Sequence, residues 1–167
     1  MATLLSWLAV GLLAIAAWRD LGTRMIPDVL PMALLLTGMG LRLHAGGAAV
    51  GGSLLLAALL FAALALLHAR GWLGGGDVKL AAGATAGLAP HAVLPFLVAT
   101  GIAGGALAAA HLALRRLRWR PRPLTTVNGL RRVVRAERWR IARHAPLPYA
   151  VAIACGGAWV ILFGGGG

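Results

Sequence analysis

Two aspartates of this chain lie where an apolar stretch ends or begins: Asp20 closes the first such stretch, and Asp77 follows three consecutive glycines and opens another. A carboxylate at the edge of a hydrocarbon-length segment is costly, and such residues usually mark a proton relay, an ion path or a catalytic site. The glycines, Gly74, Gly75 and Gly76, carry no side chains, so another backbone can come close to them. We therefore expect these glycines to admit a peptide to Asp77.

A pair of aspartates has a definite chemistry when its members meet. Two carboxylates at hydrogen-bonding distance cannot both ionise cheaply, so they share a proton. One of them can then act as a base on a water molecule while the other donates a proton to the scissile carbonyl of a peptide. This chemistry needs no covalent intermediate, and we expect neither a metal ion nor a cofactor.

The residues that competing chemistries would need are poorly placed. Ser6 and Ser53 have no surrounding motif that would activate a nucleophile. None of the five histidines belongs to a His-x-x-x-His ligand pair. The single cysteine, Cys155, excludes a disulfide framework and a cysteine-based zinc site.

Three further charged residues near the pair have alternative roles. Asp28 competes with Asp20 as the partner of Asp77, but it follows a proline and can instead cap the N-terminus of the next helix, so we prefer Asp20. Lys79 either tunes Asp77 or contacts substrate, or it is a lysine that snorkels to the membrane surface and only marks the topology. Against the first role, Asp77 and Lys79 are at positions i and i+2 of a helix, which do not face one another. Arg24 either holds a substrate carboxylate or lies at the level of the lipid phosphates, and we favour the second.

The composition is that of an integral membrane protein. Of 167 residues, 60% are hydrophobic and only 12% are charged, which is too apolar for a soluble surface. The apolar runs predict an all-α polytopic membrane protein, a single domain over residues 1–167 with about six transmembrane helices, the first of them retained rather than cleaved as a signal peptide. The predicted spans are residues 2–18, Val29–Leu43, 48–67, two spans within 78–114, and Tyr149–Phe163.

The fourth and fifth predicted spans share residues 78–114, with one break at Ala89-Pro90-His91. A full crossing takes about 20 residues, so this stretch is slightly short for two. The simplest solution is a fourth span that begins below the membrane surface, which submerges Asp77 and the glycines before it. Irregular backbone at that depth is tolerated where protein buries it or where it lines a wet cavity, so we expect a hydrated pocket there.

Most of the basic residues lie in one predicted loop, residues 115–146, which holds eleven of the sixteen lysines and arginines and includes a possible amphipathic helix at residues 130–142. The net charge of +12 raises nucleic acid as a partner, but a nucleic-acid groove needs a folded basic surface that the pattern does not provide. Short basic loops stay on the cytoplasmic side of a membrane and contact anionic lipids. We therefore expect membrane lipids, and no nucleic acid, as partners.

The same charges predict the orientation of the chain. Six spans with both termini outside place fifteen of the sixteen basic residues in the cytoplasm, all but Arg42, whereas the opposite orientation leaves one. In this topology Asp20 and Asp77 both lie at the cytoplasmic ends of their helices, so they can meet.

Three segments of the chain resemble the prepilin peptidases, which are GxGD-type intramembrane aspartic proteases of the peptidase A24 class. The segments are Asp20 with Arg24 and Ile26-Pro27-Asp28, then Gly74-Gly75-Gly76-Asp77-Val78-Lys79-Leu80, and last Pro148-Tyr149-Ala150-Val151-Ala152-Ile153-Ala154. The GxGD motif, residues 74–77, is by itself a weak signal in a chain with 24 glycines. It becomes a strong signal when the Asp20 segment accompanies it in this topology.

The resemblance implies a function. It implies a hydrolase of the bacterial cytoplasmic (inner) membrane that cleaves the basic leader from type IV prepilin or pseudopilin precursors at the cytoplasmic face, with Asp20 and Asp77 as catalytic residues. The chain lacks a cytoplasmic domain with paired cysteines, so N-methylation of the mature pilin is not implied. It is similar to the short peptidases of tight-adherence (Flp) pilus systems, and the arginine-rich loop has no counterpart in that resemblance.

Two other classes of protein compete with a peptidase. A small transporter or channel would use Asp77 and Lys79 as an ion path, but no other acid continues such a path through the remaining spans. A non-enzymatic subunit for pilus assembly would use the basic loop to bind an acidic partner or anionic lipid. That class accounts for the arginines and leaves the aspartate pair without a role.

Overall fold

A computed structural model of the protein describes residues 2–116 and 147–164. These residues form six helices and no strand, which confirms the all-α, polytopic fold class. The helices are α1 (Ala2–Thr23), α2 (Val29–Leu43), α3 (Gly47–Ala69), α4 (Gly75–Thr85), α5 (Pro90–Arg116) and α6 (Tyr149–Phe163). The proposed amphipathic helix at residues 130–142, and most of the basic loop at 115–146, lie outside the described residues.

Helix length and exposure are those of a multi-pass membrane protein. The segments Ala2–Thr23, Gly47–Ala69 and Pro90–Leu114 are long and apolar enough to cross a membrane, and two shorter helices, α2 and α6, are also apolar. Large apolar side chains such as Leu4, Met32 and Leu94 are more than half exposed on the outside of the bundle. Such a surface is compatible with lipid and not with water.

The fourth helix is shorter than the sequence indicated. Helix α4 has 11 residues, which at about 1.5 Å per residue is roughly half the thickness of a hydrocarbon core. The long helix is α5, with 27 residues. Hydropathy alone could not separate the two, because the turn that ends α4, residues 86–89, is itself apolar and mostly buried.

Helix α4 lies in the interior of the bundle and packs against α2 at backbone distance. A Cβ atom built on Gly83 would lie 2.8 Å from the carbonyl oxygen of Pro31, and one built on Gly87 would lie 2.9 Å from the Cα of Gly38. Small residues at these positions therefore allow the two helices to approach closely, as in other helix pairs within membranes.

The bundle has two ends, and both aspartates lie at one of them. At this end, which we call the aspartate end, α1, α3 and α5 finish and α2, α4 and α6 begin. At the opposite end α2 finishes and α3 begins, and the turn between α4 and α5 lies at this end too. Between the ends, Leu13, Leu80, Phe96 and Val160 form part of one buried apolar core that joins α1, α4, α5 and α6.

Candidate active site

Asp77 is the third residue of α4, and its carboxylate folds back onto the start of its own helix. Gly74 is the N-cap residue, and its backbone hydrogen-bonds with the carboxylate of Asp77. This is the acidic half of a capping box, which satisfies one of the free N–H groups at a helix start. The other carboxylate oxygen, Oδ1, is buried and has no hydrogen-bond partner among the described residues. One oxygen of the Asp77 carboxylate therefore caps α4, and Oδ1 remains able to bind a water molecule or a substrate atom.

The glycine at position 74 makes room for that carboxylate. Gly74 has φ −71° and ψ 140°, a conformation that any residue adopts. A Cβ atom at this position, however, would lie 2.8 Å from Oδ2 of Asp77. Gly74 is thus needed for space and not for conformational freedom.

Asp20 lies in the last turn of α1 and is almost fully buried, with 7% of its surface exposed. Its Oδ2 accepts a hydrogen bond of 3.3 Å from the backbone N–H of Ala150, the second residue of α6. The N-cap residue of α6, Pro148, provides no side-chain cap of its own. Asp20 therefore caps α6 from another helix, and a carboxylate at a helix N-terminus is favourably placed relative to the helix dipole.

The two aspartates and one arginine act on one another at this end of the bundle. The charges of Asp20 and Arg24 are both felt at Asp77. The predicted pair is thus within electrostatic range, and each member is held at the start of a different helix. The chemistry of two neighbouring carboxylates described from the sequence is available to this arrangement.

Arg24 is a neighbour of the pair that the sequence analysis assigned to the lipid phosphates. It has φ +59°, in the left-handed region that a residue with a side chain rarely adopts. Its N–H donates to the carbonyl oxygen of Asp20, 3.0 Å away, which closes the last turn of α1 as an αL cap. The sequence did contain one indication that Arg24 lies near Asp20. The two residues are four positions apart, a spacing that brings side chains to the same face of a helix.

Asp28 and Lys79 form an ion pair with each other, away from Asp77. Lys79 Nζ lies 2.7 Å from Asp28 Oδ1, and the two side chains are 46% and 72% exposed. Asp28 occupies the N-cap position of α2 without a side-chain capping bond. An exposed pair of this kind contributes less than about 1 kcal/mol to stability. The structure therefore gives Asp28 a partner other than Asp77.

The two remaining glycines lie against one side chain of the α1–α2 loop and one side chain of the last turn of α3. A Cβ on Gly76 would lie 3.2 Å from the Cβ of Ile26, and a Cβ on Gly75 would lie 3.4 Å from the imidazole of His68. His68 in turn shares a 2.8 Å hydrogen bond with the carbonyl oxygen of Leu73, just before the glycines. Gly76 thus has a packing role in addition to the peptide contact predicted for it.

Within residues 2–116 and 147–164, no group of three His, Cys, Asp or Glu side chains is arranged to hold a metal ion. The charged groups that act on Asp77 are the carboxylate of Asp20 and the guanidinium of Arg24, beside the starts of α4 and α6.

Fold and site together define an all-helical, multi-pass membrane protein with an aspartate pair at one end of its bundle. The model of the type IV leader peptidase family matches residues 7–109, and the chain belongs to that family. Membership identifies it as a peptidase of the leader-peptidase type. The match includes both aspartates and ends before α6. Comparisons with curated proteins and with solved structures found no match.

Proposed function

We propose that this protein is an aspartic endopeptidase that removes the leader peptide of type IV prepilins of the Flp type at the cytoplasmic face of the bacterial inner membrane. The observation that supports the proposal is that Asp20 and Asp77 lie within electrostatic range of each other, each at the N-terminus of a helix. Family membership supports the substrate class, because the family is that of type IV leader peptidases.

In the proposed reaction the pair shares one proton and activates a water molecule between its members. The ionised carboxylate takes a proton from the water, whose oxygen attacks the scissile carbonyl while the protonated carboxyl donates to the carbonyl oxygen. Collapse of the tetrahedral intermediate breaks the C–N bond, and the leaving amine takes a proton from the pair. The products are a new carboxylate and a new amine. Arg24 offsets the negative charge of the pair throughout.

The substrate has a basic leader, a small residue before the cut and then an apolar helix, and three features of the site suit it. Gly74 is exposed at the start of α4, where its bare backbone leaves room for a peptide beside Asp77. Gly75 and Gly76 continue this surface. Lys79 and Asp28 lie at one edge of an apolar groove of about 500 Å³ between α2, α3 and α4. We assign substrate contact to these glycines and to Lys79.

Co-expression with a candidate prepilin tests the function directly. The full-length protein should shorten the prepilin, which is followed as a shift on a gel, and mass spectrometry of the product should place the cut after a small residue at the end of a basic leader. A prepilin that stays uncut beside correctly inserted protein would contradict the proposal.

Lys79→Gln is expected to raise KM several-fold and leave kcat unchanged, because the substituted side chain is on a different face of α4 from Asp77 but lies along the proposed substrate path. The measurement is steady-state cleavage of a prepilin peptide in micelles. Asp28→Asn is the matched control, since it breaks the same ion pair and retains Lys79. Equal KM values for Lys79→Gln and the wild type would show that Lys79 serves only the ion pair or the membrane topology.

The cytoplasmic orientation is tested by labelling single cysteines in a Cys155→Ala background. A cysteine replacing Thr125 should react with an impermeant thiol reagent only from the cytoplasmic side. A cysteine replacing Ala45, which is exposed at the opposite end of the bundle, should react only from outside. Ala45 is preferable to its neighbour Gly46, whose φ of +101° would strain any side chain. Reversed labelling would place the aspartates on the wrong face for a leader peptidase.

A further inference from the structure

A cavity of about 330 Å³ lies at the opposite end of the bundle, remote from the aspartates. It is lined by the start of α1, the end of α2, the α4–α5 turn and the end of α6. The cavity exists because α4 is short. The carbonyl oxygen of Leu88 in the α4–α5 turn lies 2.8 Å from the hydroxyl of Ser53, which is six residues inside α3, or about 9 Å along the helix. The α4–α5 turn therefore lies about 9 Å deeper in the bundle than the start of α3.

Among the described residues that line this cavity, the formal charge comes from Arg42. The imidazoles of His44 and His91 line it as well, and the three aspartates, which are the acidic residues among those described, lie at the aspartate end. Helices α1 and α5 start at the cavity while α2 and α6 finish there, so the helix dipoles largely cancel and the side chains determine the potential.

The guanidinium of Arg42 is held in place by buried groups. Its Nε donates to the hydroxyl of Ser53 over 3.1 Å, and Ser53, which is fully buried, donates in turn to the carbonyl oxygen of Leu88. No other partner of Arg42 occurs among the described residues, so its terminal nitrogens remain available. A guanidinium fixed in this way is preorganised for two parallel hydrogen bonds to a phosphate or carboxylate.

We propose that this cavity binds a phosphate group, with Arg42 as the principal ligand and the imidazoles of His44 and His91 as supporting hydrogen-bonding groups. The walls are otherwise largely apolar, with Leu41, Leu88, Val160 and Ile161 among them. Apolar walls beside a fixed guanidinium suit the headgroup of a phospholipid and its first acyl carbons, and inorganic phosphate presents the same chemistry to Arg42.

Native mass spectrometry of the full chain in phosphate-free maltoside micelles tests the proposal without reference to peptidase activity. The probes are phosphatidylglycerol, diacylglycerol with the same acyl chains, and inorganic phosphate. The wild type should retain one phosphatidylglycerol or one phosphate and no diacylglycerol. Arg42→Gln should weaken that binding about tenfold or more, since a hydrogen bond to a charged group is lost.

Two further variants separate binding from folding. Arg42→Lys keeps the positive charge but loses the two parallel N–H donors of the guanidinium, and it should retain part of the binding. The double variant His44→Gln, His91→Gln changes two exposed side chains and should weaken binding several-fold. Arg70→Gln, at the other end of the bundle, is the control and should bind as the wild type does. Retention of phosphatidylglycerol alone identifies a lipid site, and retention of phosphate as well identifies a site for the free ion. Equal binding of either probe by the wild type and Arg42→Gln overturns the proposal.

Discussion

Asp20→Asn and Asp77→Asn are each expected to reduce prepilin cleavage by about 10²- to 10⁴-fold, because each removes one half of an acid–base pair. The fold should survive both changes. The amide oxygen of asparagine at position 20 can still accept the hydrogen bond from Ala150 that now reaches Oδ2, and an asparagine at position 77 can still interact with the backbone of Gly74. Cleavage rates are measured in the co-expression assay, together with the thermal unfolding of each purified variant.

Two further substitutions make this result specific. Asp28→Asn should leave cleavage within a few-fold of the wild type, since Asp28 pairs with Lys79 at the surface. Asp20→Ala should lose activity and also about 1 kcal/mol of stability, because α6 then lacks its cap. Near-normal cleavage by Asp20→Asn combined with its loss in Asp28→Asn would show that the wrong aspartate has been assigned to the pair.

Gly74→Ala is the second change with a large expected effect. The added Cβ would lie 2.8 Å from Asp77 Oδ2, closer than such atoms approach, so the carboxylate must rotate away. Since a side-chain end can move cheaply, we expect the unfolding temperature to change little and the cleavage rate to fall at least tenfold. The measurement is the same pair of assays, cleavage and thermal unfolding.

Gly101→Ala is the matched control, since it adds the same atom to a glycine of α5 that has nothing within 4 Å of the added Cβ. Gly101 belongs neither to the aspartate pair nor to the proposed substrate contacts, so activity should be unchanged. Similar activity for Gly74→Ala and the wild type would mean that the position of the Asp77 carboxylate in the free protein is not the position it uses in the reaction.

The sequence could place the two aspartates at the same end of the bundle because topology and charge distribution do not depend on contact geometry. Asp20 ends an apolar run and Asp77 begins another, so a hairpin topology brings both to one face whatever the side chains do. The contacts that hold them could not be predicted in the same way. The bond between Asp20 and Ala150 joins residues 130 positions apart, and the Lys79–Asp28 pair joins residues 51 apart.

Backbone detail accounts for the other differences. The left-handed conformation of Arg24 is rare for residues with side chains, and the sequence gives no indication of it. Without that conformation, the sequence analysis assigned the guanidinium of Arg24 to the membrane surface. The length of α4 was misjudged because residues 86–89 are as apolar as the helix they end. The three successive glycines indicated that something approaches the backbone closely at this point. That the approaching group at Gly74 is the carboxylate of Asp77 could be learned only from the structure.

The cap that Asp20 provides for α6 bears on where this protein could be divided. The family match ends at residue 109, yet the hydrogen-bond donor for one of the two aspartates comes from Ala150, beyond that boundary. Helix α6 also brings Gly157 against Leu13 and Phe96 of the core. A shortened version that stops at the family boundary would keep both carboxylates and lose the donor that orients one of them. We therefore expect the smallest active version of the protein to extend through α6, and a version that ends at residue 109 to lose activity.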